Sequence, residues 1–435
     1  MAATEPRIPA RRLMQRPRLG DLMPVKVRTF DAAEVTTKSH RETDPRGVGL
    51  TTADVEAIWR AVVRFYQTGL HPAIAICIRR RGEIILDRAI GHAKGNAPDD
   101  PDGTPLVKAT PDTLYNFFSG SKSVTAMLIH LLQQEDQLHV DEPVATFIPE
   151  FAKRRKHSIT IRDVLTHRAG IPATPEEAID LDLLSKPGEI VRAFCELEPT
   201  HRPGSVQAYQ AVTSGFILGE VVRRVTGRGI QQFLDDRIRR PLKMKHFRYG
   251  VPERDLDRVA VDAFTGPTPT WPYKNLVQIA FGASMRELVE LGNDPRFRTA
   301  VVPAANLIAT PEEISRFFET LLCGGTYEDT RVFDPRTVAR ATEPQITGQV
   351  DRVLMMPIPL SMGFMLGLRS FGFFGPRTAN AYGHLGFTNV LGWADPDRDI
   401  SVALMNTGKP LLSARMLAWL NVTRVIGTRI PRDRA

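Results

Sequence analysis

The 435-residue sequence predicts an α/β (α+β) fold: one antiparallel sheet flanked by helices, with a mainly helical region inserted between its two halves. Three observations carry this. A strand–turn–strand pattern stands near the start, in Ala73-Ile74-Ala75-Ile76-Cys77-Ile78, Arg81-Gly82 and Ile84-Ile85-Leu86. A second strand pattern, Ile400-Ser401-Val402-Ala403-Leu404-Met405, stands near the end, and the stretch from about 140 to 300 reads as helices and long loops. Strands at both ends with helices between them imply one sheet completed by the two ends of the chain.

Taken in order, residues 1–49 are rich in Pro and Arg without a clear period, which predicts a poorly ordered extension, a strap over the body at most. Residues 50–435 then form the folded unit. Thr51-Thr52 reads as an N-cap, and Val55, Ile58, Trp59, Val62, Val63 and Tyr66 follow at helical spacing up to Pro72. After the hairpin, a loop from Pro98 to Pro111 leads to a helix opened by Ser119 and continued by Leu128, Ile129, Leu131 and Leu132. The inserted helical region spans about 146–300, with helices expected over Gly204–Val225 and Gln231–Arg239. Thr310-Pro311 opens an amphipathic helix to Leu322, His384 to Asn406 is strand-like, and Met416, Leu417, Trp419, Leu420 and Val425 mark a last helix. No internal repeat is visible.

Composition narrows the function classes. With 42% hydrophobic and 24% charged residues the chain reads as an ordinary globular protein. Cys77, Cys195 and Cys323 lie far apart, which indicates neither a disulfide framework nor a zinc site and suits buried apolar roles in a reducing cytoplasm. The stretch nearest to a membrane span, Val353 to Pro376, is broken by Pro357, Pro359, Gly363, Gly367 and Arg369, and arginines run through the N-terminus where a secretory signal would be apolar. A cytoplasmic location follows as the expectation. Net charge is +8, and both Arg79-Arg80-Arg81 and Lys153-Arg154-Arg155-Lys156 read as solvated turns. Neither is interleaved with aromatics, so no nucleic-acid partner is expected. The basic N-terminal segment offers peripheral contact with anionic lipid. Oligomeric state is not legible.

The chemistry centres on Phe118-Ser119-Gly120-Ser121-Lys122-Ser123-Val124-Thr125-Ala126-Met127. Residues at i and i+3 share a helix face, so the Lys122 amine can sit beside the Ser119 hydroxyl. That is what a serine nucleophile needs when its base is a lysine. Ser-x-x-Lys alone is weak, since roughly one chance copy is expected in a chain of this length. Its setting strengthens it. An N-terminal helix position favours developing negative charge, and the same positive end lowers a lysine's pKa. An N-capping serine followed by a surface lysine is the other reading of this segment.

Several stretches in the right order resemble one family. Ser119-Gly120-Ser121-Lys122-Ser123-Val124-Thr125-Ala126, then Val140-Asp141-Glu142-Pro143-Val144 with Phe147-Ile148-Pro149-Glu150-Phe151, then Ile159-Thr160-Ile161-Arg162-Asp163-Val164-Leu165-Thr166-His167-Arg168-Ala169-Gly170-Ile171-Pro172 are similar to the serine hydrolases related to class C β-lactamases, D,D-peptidases and family VIII carboxylesterases. The resemblance covers about residues 55 to 425 and implies a β-lactamase/D,D-peptidase-like fold. It carries over Tyr209, after Pro203-Gly204, as a group that acts as a base when ionised or relays a proton to the leaving group. Ala211 stands where the β-lactamases have an asparagine that binds the substrate's amide side chain and helps hold the lysine. An alanine side chain does neither. That departure, with Val302-Pro303-Ala304-Ala305-Asn306, points to the esterase-like branch.

A third motif, Gly383-His384-Leu385-Gly386-Phe387, stands in place of Lys-Thr-Gly. The resemblance implies that Gly386 lets the strand approach substrate, that the N–H groups of Ser119 and Phe387 form an oxyanion hole, and that His384 lines the substrate site as a switchable cation. His130 and His167 are expected to be structural. No His/Asp clustering suggests a metal, no cofactor is implied, and no Gly-x-Ser-x-Gly elbow occurs. The expected activity is hydrolysis of small or medium acyl esters through an acyl-enzyme, as a carboxylesterase or lipase, with Trp271, Tyr273 and Phe281 as candidates for an acyl pocket. The rivals are a β-lactamase or D-amino-acid peptidase acting on amides, and a catalytically idle scaffold or ligand sensor.

Overall fold

The main sheet alternates its side chains between two cores, and that alternation explains the layering. A computed structural model describes residues 25–267, 282–411 and 417–433. In it, strands run in the order Thr36–Lys38, Glu83–Lys94, Ala73–Arg80, Ile400–Asn406, Leu391–Asp395, Tyr382–Leu385 and Met365–Leu366, every neighbour antiparallel. Val402 pairs Ile78 and Leu404 pairs Ile76, so the N- and C-terminal parts meet at the sheet centre. Ile74, Ile76, Ile78, Val402 and Leu404 face one core, and Ala75, Cys77, Ala403 and Met405 lie on the other strand face. Over the first face pack helices Thr52–Tyr66 and Ala418–Arg429; over the second packs Pro311–Leu322. The architecture is α/β, an antiparallel main sheet with many helices.

Local chemistry sets the helix starts. Thr51 accepts from the Asp54 N–H while Asp54 accepts from the Thr51 N–H, and Thr310 with Glu313 repeats this reciprocal cap. Between the sheet halves lie helices Ser121–Gln134, Pro187–Glu196, Thr213–Thr226 and Met285–Asn293. Among the described residues no helix is long and apolar enough to cross a membrane.

Four expectations need correction. Residues 25–49 are not a loose extension: Thr36–Lys38 forms the edge strand against Glu83–Lys94, and Arg41 pairs with buried Asp87 at 2.8 Å. Edge pairing and that ion pair supply what the composition does not. The helix expected over Gly204–Val225 begins only at Thr213. Upstream, the Ala208, Tyr209 and Gln210 N–H groups donate to His167 O, Asp351 Oδ1 and His167 Nδ1, partners outside any helix. Cys323 is exposed, although Cys77 and Cys195 are buried.

The basic runs are the fourth correction, because they are not simply solvated. Arg79 is buried, pairs with Glu312 and donates to Ser315 Oγ at 3.2 Å. Arg80 is buried too and pairs with Asp433 at 2.9 Å. Lys156 Nζ donates to the carbonyls of Cys195 and Leu197. A buried guanidinium without its carboxylate keeps the cost of lost hydration, so Glu312→Ala is expected to destabilise the fold by about 3 kcal/mol. Equilibrium urea unfolding checks this, with Glu312→Gln losing less because it keeps an acceptor toward Arg79.

Candidate active site

Ser119 sits in the short 3-10 turn Phe118–Gly120 that runs into helix Ser121–Gln134. The turn is strained and held from several sides. Phe118 has φ +47, a left-handed value that costs a side-chain-bearing residue of order 1–3 kcal/mol. Its N–H donates to Asn116 Oδ1 at 2.9 Å, its carbonyl accepts from Ser121 Oγ, and its ring lies 4.8 Å beneath Lys409 Nζ. Lys409 is itself buried, paired with Asp262 at 3.1 Å. Gly120 is required here, since a Cβ would stand 2.3 Å from the Phe117 ring.

One helical turn on, Lys122 points back at the serine. Its Nζ lies 3.1 Å from Ser119 Oγ, 2.7 Å from Ala211 O and 3.1 Å from Ala304 O. Burial lowers its pKa from 10.5 to about 7. With the amine neutral, two N–H groups donate to the two carbonyls and the lone pair is left for the Ser119 O–H; with it charged, all three N–H groups find an acceptor. Ala211 thus differs from the sequence expectation. Its side chain cannot hold the lysine, but its backbone carbonyl does.

Tyr209 completes the group. Its hydroxyl makes a side-chain hydrogen bond with Ser119, and its ring centroid is 4.9 Å from Lys122 Nζ. Burial pushes the phenol well above its ordinary value, with Asp351 adding to the rise. Of the two roles expected for Tyr209, base when ionised or proton relay, the geometry and charge favour the relay.

The loop carrying Tyr209 is placed by residues that sequence reasoning did not assign to the site. Asp351, buried, accepts from Tyr209 N at 3.2 Å and from the Val353 and Leu354 N–H groups at 2.9 Å. His167, expected to be structural, accepts from Gln210 N through Nδ1 and packs its ring 4.6 Å from that of Tyr209. The Ala304 carbonyl is fixed by its neighbours: Thr125 Oγ1 donates to Pro303 O at 2.6 Å, and Asn306 closes the turn on Val302 N, Phe297 O and Ala300 O. A backbone carbonyl leaves no signal in a sequence, although the Val302–Asn306 stretch had marked the region.

Strand Tyr382–Leu385 brings the third motif alongside. A Cβ on Gly386 would stand 2.6 Å from Phe117 O, so only glycine lets this strand end approach the serine turn. The Phe387 ring packs 5.5 Å from that of Phe118. His384 is placed differently from expectation. It is buried, its Nδ1 is 2.8 Å from Leu385 O, and burial beside Lys122 lowers its pKa to about 3. A ring held neutral is not a switchable cation at physiological pH. It lines, with Lys122, His167 and Ser214, a small cavity of about 20 Å³ behind the lysine.

Ser119 opens instead on a cavity of about 80 Å³ lined by Phe118, Ile179, Leu184, Ala211, Leu291, Phe297 and Phe387 among others. No charged side chain is among its described lining residues. Trp271, Tyr273 and Phe281 lie outside the described residues. The arrangement can remove the Ser119 proton, shuttle it through Tyr209 and receive an uncharged acyl group.

Comparison with known proteins bears on the family and the fold. The β-lactamase family model matches residues 60–424. The esterase/β-lactamase LipL of Mycobacterium tuberculosis is 25% identical over 350 residues, 76% of each chain. A penicillin-binding protein homologue from Caulobacter crescentus superimposes with a TM-score of 0.73 at 26% identity, over 88% of this chain and 99% of that one. A family VIII carboxylesterase shares the fold with a TM-score of 0.73 at 24% identity, over 86% of this chain and 98% of that one.

Proposed function

The chain belongs to the β-lactamase family of serine hydrolases, and on that premise we propose that it hydrolyses carboxylic esters of small or medium uncharged acyl groups. The observation that carries this is the cavity on which Ser119 opens, apolar and without a described ionic side chain. Recognition of a substrate carboxylate, as in many amide substrates of this family's relatives, calls for a fixed cation, and His384 stays neutral. Ala211 offers that cavity a methyl group where a side-chain amide would be needed to grip a peptide bond. LipL, named as both an esterase and a β-lactamase, is consistent with this reading and does not by itself separate it from the amide rival.

The 3.1 Å approach of Lys122 Nζ to Ser119 Oγ supports the following mechanism. Lys122, neutral, takes the Ser119 proton as Oγ attacks the ester carbonyl. The family resemblance assigns the oxyanion to the N–H groups of Ser119 and Phe387, a contribution of about 3 kcal/mol in holes of this kind. Tyr209 passes a proton to the departing alkoxide, which leaves as alcohol, and takes one back from the lysinium. Water then attacks the acyl-enzyme by the same route and frees the carboxylic acid and Ser119.

A substrate panel tests the assignment. With p-nitrophenyl butyrate, a chromogenic cephalosporin and a D-alanyl-D-alanine peptide, kcat/KM for the ester is expected to exceed both others by at least about 100-fold. Cephalosporin or peptide turnover equal to that of the ester would overturn it.

A further inference from the structure

We propose that Leu184 sets the acyl-chain length this site accepts, and that the groove beyond it is a distal subsite for an alkyl chain, separated from the serine cavity in the native enzyme by a wall that includes this side chain. The inference rests on the esterase reading and deepens it. Leu184 is buried and lines two separate spaces. On one side is the cavity of about 80 Å³ that holds Ser119. On the other is a groove of about 630 Å³, walled by Leu181, Pro187, Val191, Phe216, Ile230 and Val301. The wall between them continues through Val302 and Phe297, which face the serine side, while their chain neighbours Val301 and Arg296 face the groove.

The groove suits an alkyl chain. Its ionic side chains are already neutralised at its edge: Arg223 pairs with Glu220 at 2.6 Å, and Arg296 with Asp182 at 2.7 Å and Asp294 at 2.9 Å. An apolar chain entering between them would displace water from apolar walls without stripping a charge of its partner. Val302 and Phe297 belong to the turn that presents the Ala304 carbonyl to Lys122 and are tied through Asn306. Leu184 lies instead in a run of turns, Leu181 to Ser185, outside that machinery. It is the part of the wall that can change without moving the lysine's acceptors.

The test is a chain-length series of p-nitrophenyl esters, acetyl to decanoyl, on wild type, Leu184→Ala, Leu184→Phe and the double variant Leu184→Ala/Val191→Phe. Wild type is expected to fall steeply beyond butyryl. Leu184→Ala should raise the octanoyl-to-butyryl ratio of kcat/KM by at least about tenfold, a magnitude typical of pocket-length discrimination. Refilling the groove with Val191→Phe should return the ratio to the wild-type value, a non-additivity that separates a shared channel from general loosening. Leu184→Phe should lower butyryl relative to acetyl. A folded Leu184→Ala with an unchanged ratio overturns the proposal. If that variant does not fold, an unchanged acetyl-to-butyryl ratio in Leu184→Phe overturns it. Absence of turnover by wild type with every ester sinks the esterase reading itself, whereas an active wild type with unaltered length profiles sinks only the subsite.

Discussion

Ser119→Ala is expected to abolish ester turnover, by about 10⁵-fold or more, as loss of a nucleophile does in enzymes whose catalytic groups act as a unit. The substitution removes the oxygen that lies 3.1 Å from Lys122 Nζ and in hydrogen-bond contact with Tyr209. Among the described residues nothing nearby replaces it. Ser121 and Ser123 are buried and directed to the Phe118 and Gly120 carbonyls. The change is small sterically, so thermal unfolding should be close to wild type, which separates a lost nucleophile from a lost fold. A fluorophosphonate should add once to the wild-type protein, on the peptide bearing Ser119, and not to the variant. Turnover within tenfold of wild type, or an adduct elsewhere, would remove Ser119 from the mechanism, whereas a wild type with neither turnover nor an adduct would restore the idle scaffold as the better reading.

What could be read beforehand divides by the range of the interactions. The hairpin from Ala73, strand Ile400–Asn406 and helix Pro311–Leu322 were legible because each carries its own period and, for the helix, its own cap. Ser119 and Lys122 were legible for the same reason, as two groups three residues apart on one turn. Gly204 to Val225 reads as a helix region, yet the stretch through Tyr209 is a loop and the helix begins at Thr213. The loop's N–H groups are claimed by His167 and Asp351, which no local pattern can announce. Arg79 and Arg80 illustrate the converse: their triplet looks solvated until Glu312 and Asp433 arrive from distant parts of the chain. The electrostatics of the site depend on burial. Tyr209, His384 and Lys122 are each shifted mainly by loss of solvent, so a histidine that reads as a switch is held neutral.

That shift makes Lys122 the sharper probe of mechanism. Lys122→Met is expected to lower kcat/KM by about 10³–10⁴-fold, the range of a lost general base. Methionine keeps the apolar stem but leaves the Ala211 and Ala304 carbonyls without their donor, so Lys122→Arg supplies the control. A guanidinium can donate to both carbonyls yet cannot give up its proton near neutrality. If the lysine were only a positioning cation, Lys122→Arg would retain activity; as a base it should be nearly as inactive as Lys122→Met. The pH dependence adds an independent sign. Only the neutral amine accepts the serine proton, so wild-type kcat/KM should rise through about pH 7 and then level, since Tyr209 stays protonated well beyond that. Stability moves by the same linkage. The unfolded lysine titrates near 10.5 and the folded one near 7, so between these values the unfolded chain binds more protons. Wild-type stability should therefore fall as pH is lowered from 10.5 toward 7 and change no further from this group below that. Lys122→Met, with no amine to charge, should lack this component, so its urea midpoint should gain on wild type as pH falls across that window. An activity profile flat through pH 7, or a pH-independent difference in urea midpoint, would show that the buried amine is charged at rest and that another group takes the Ser119 proton.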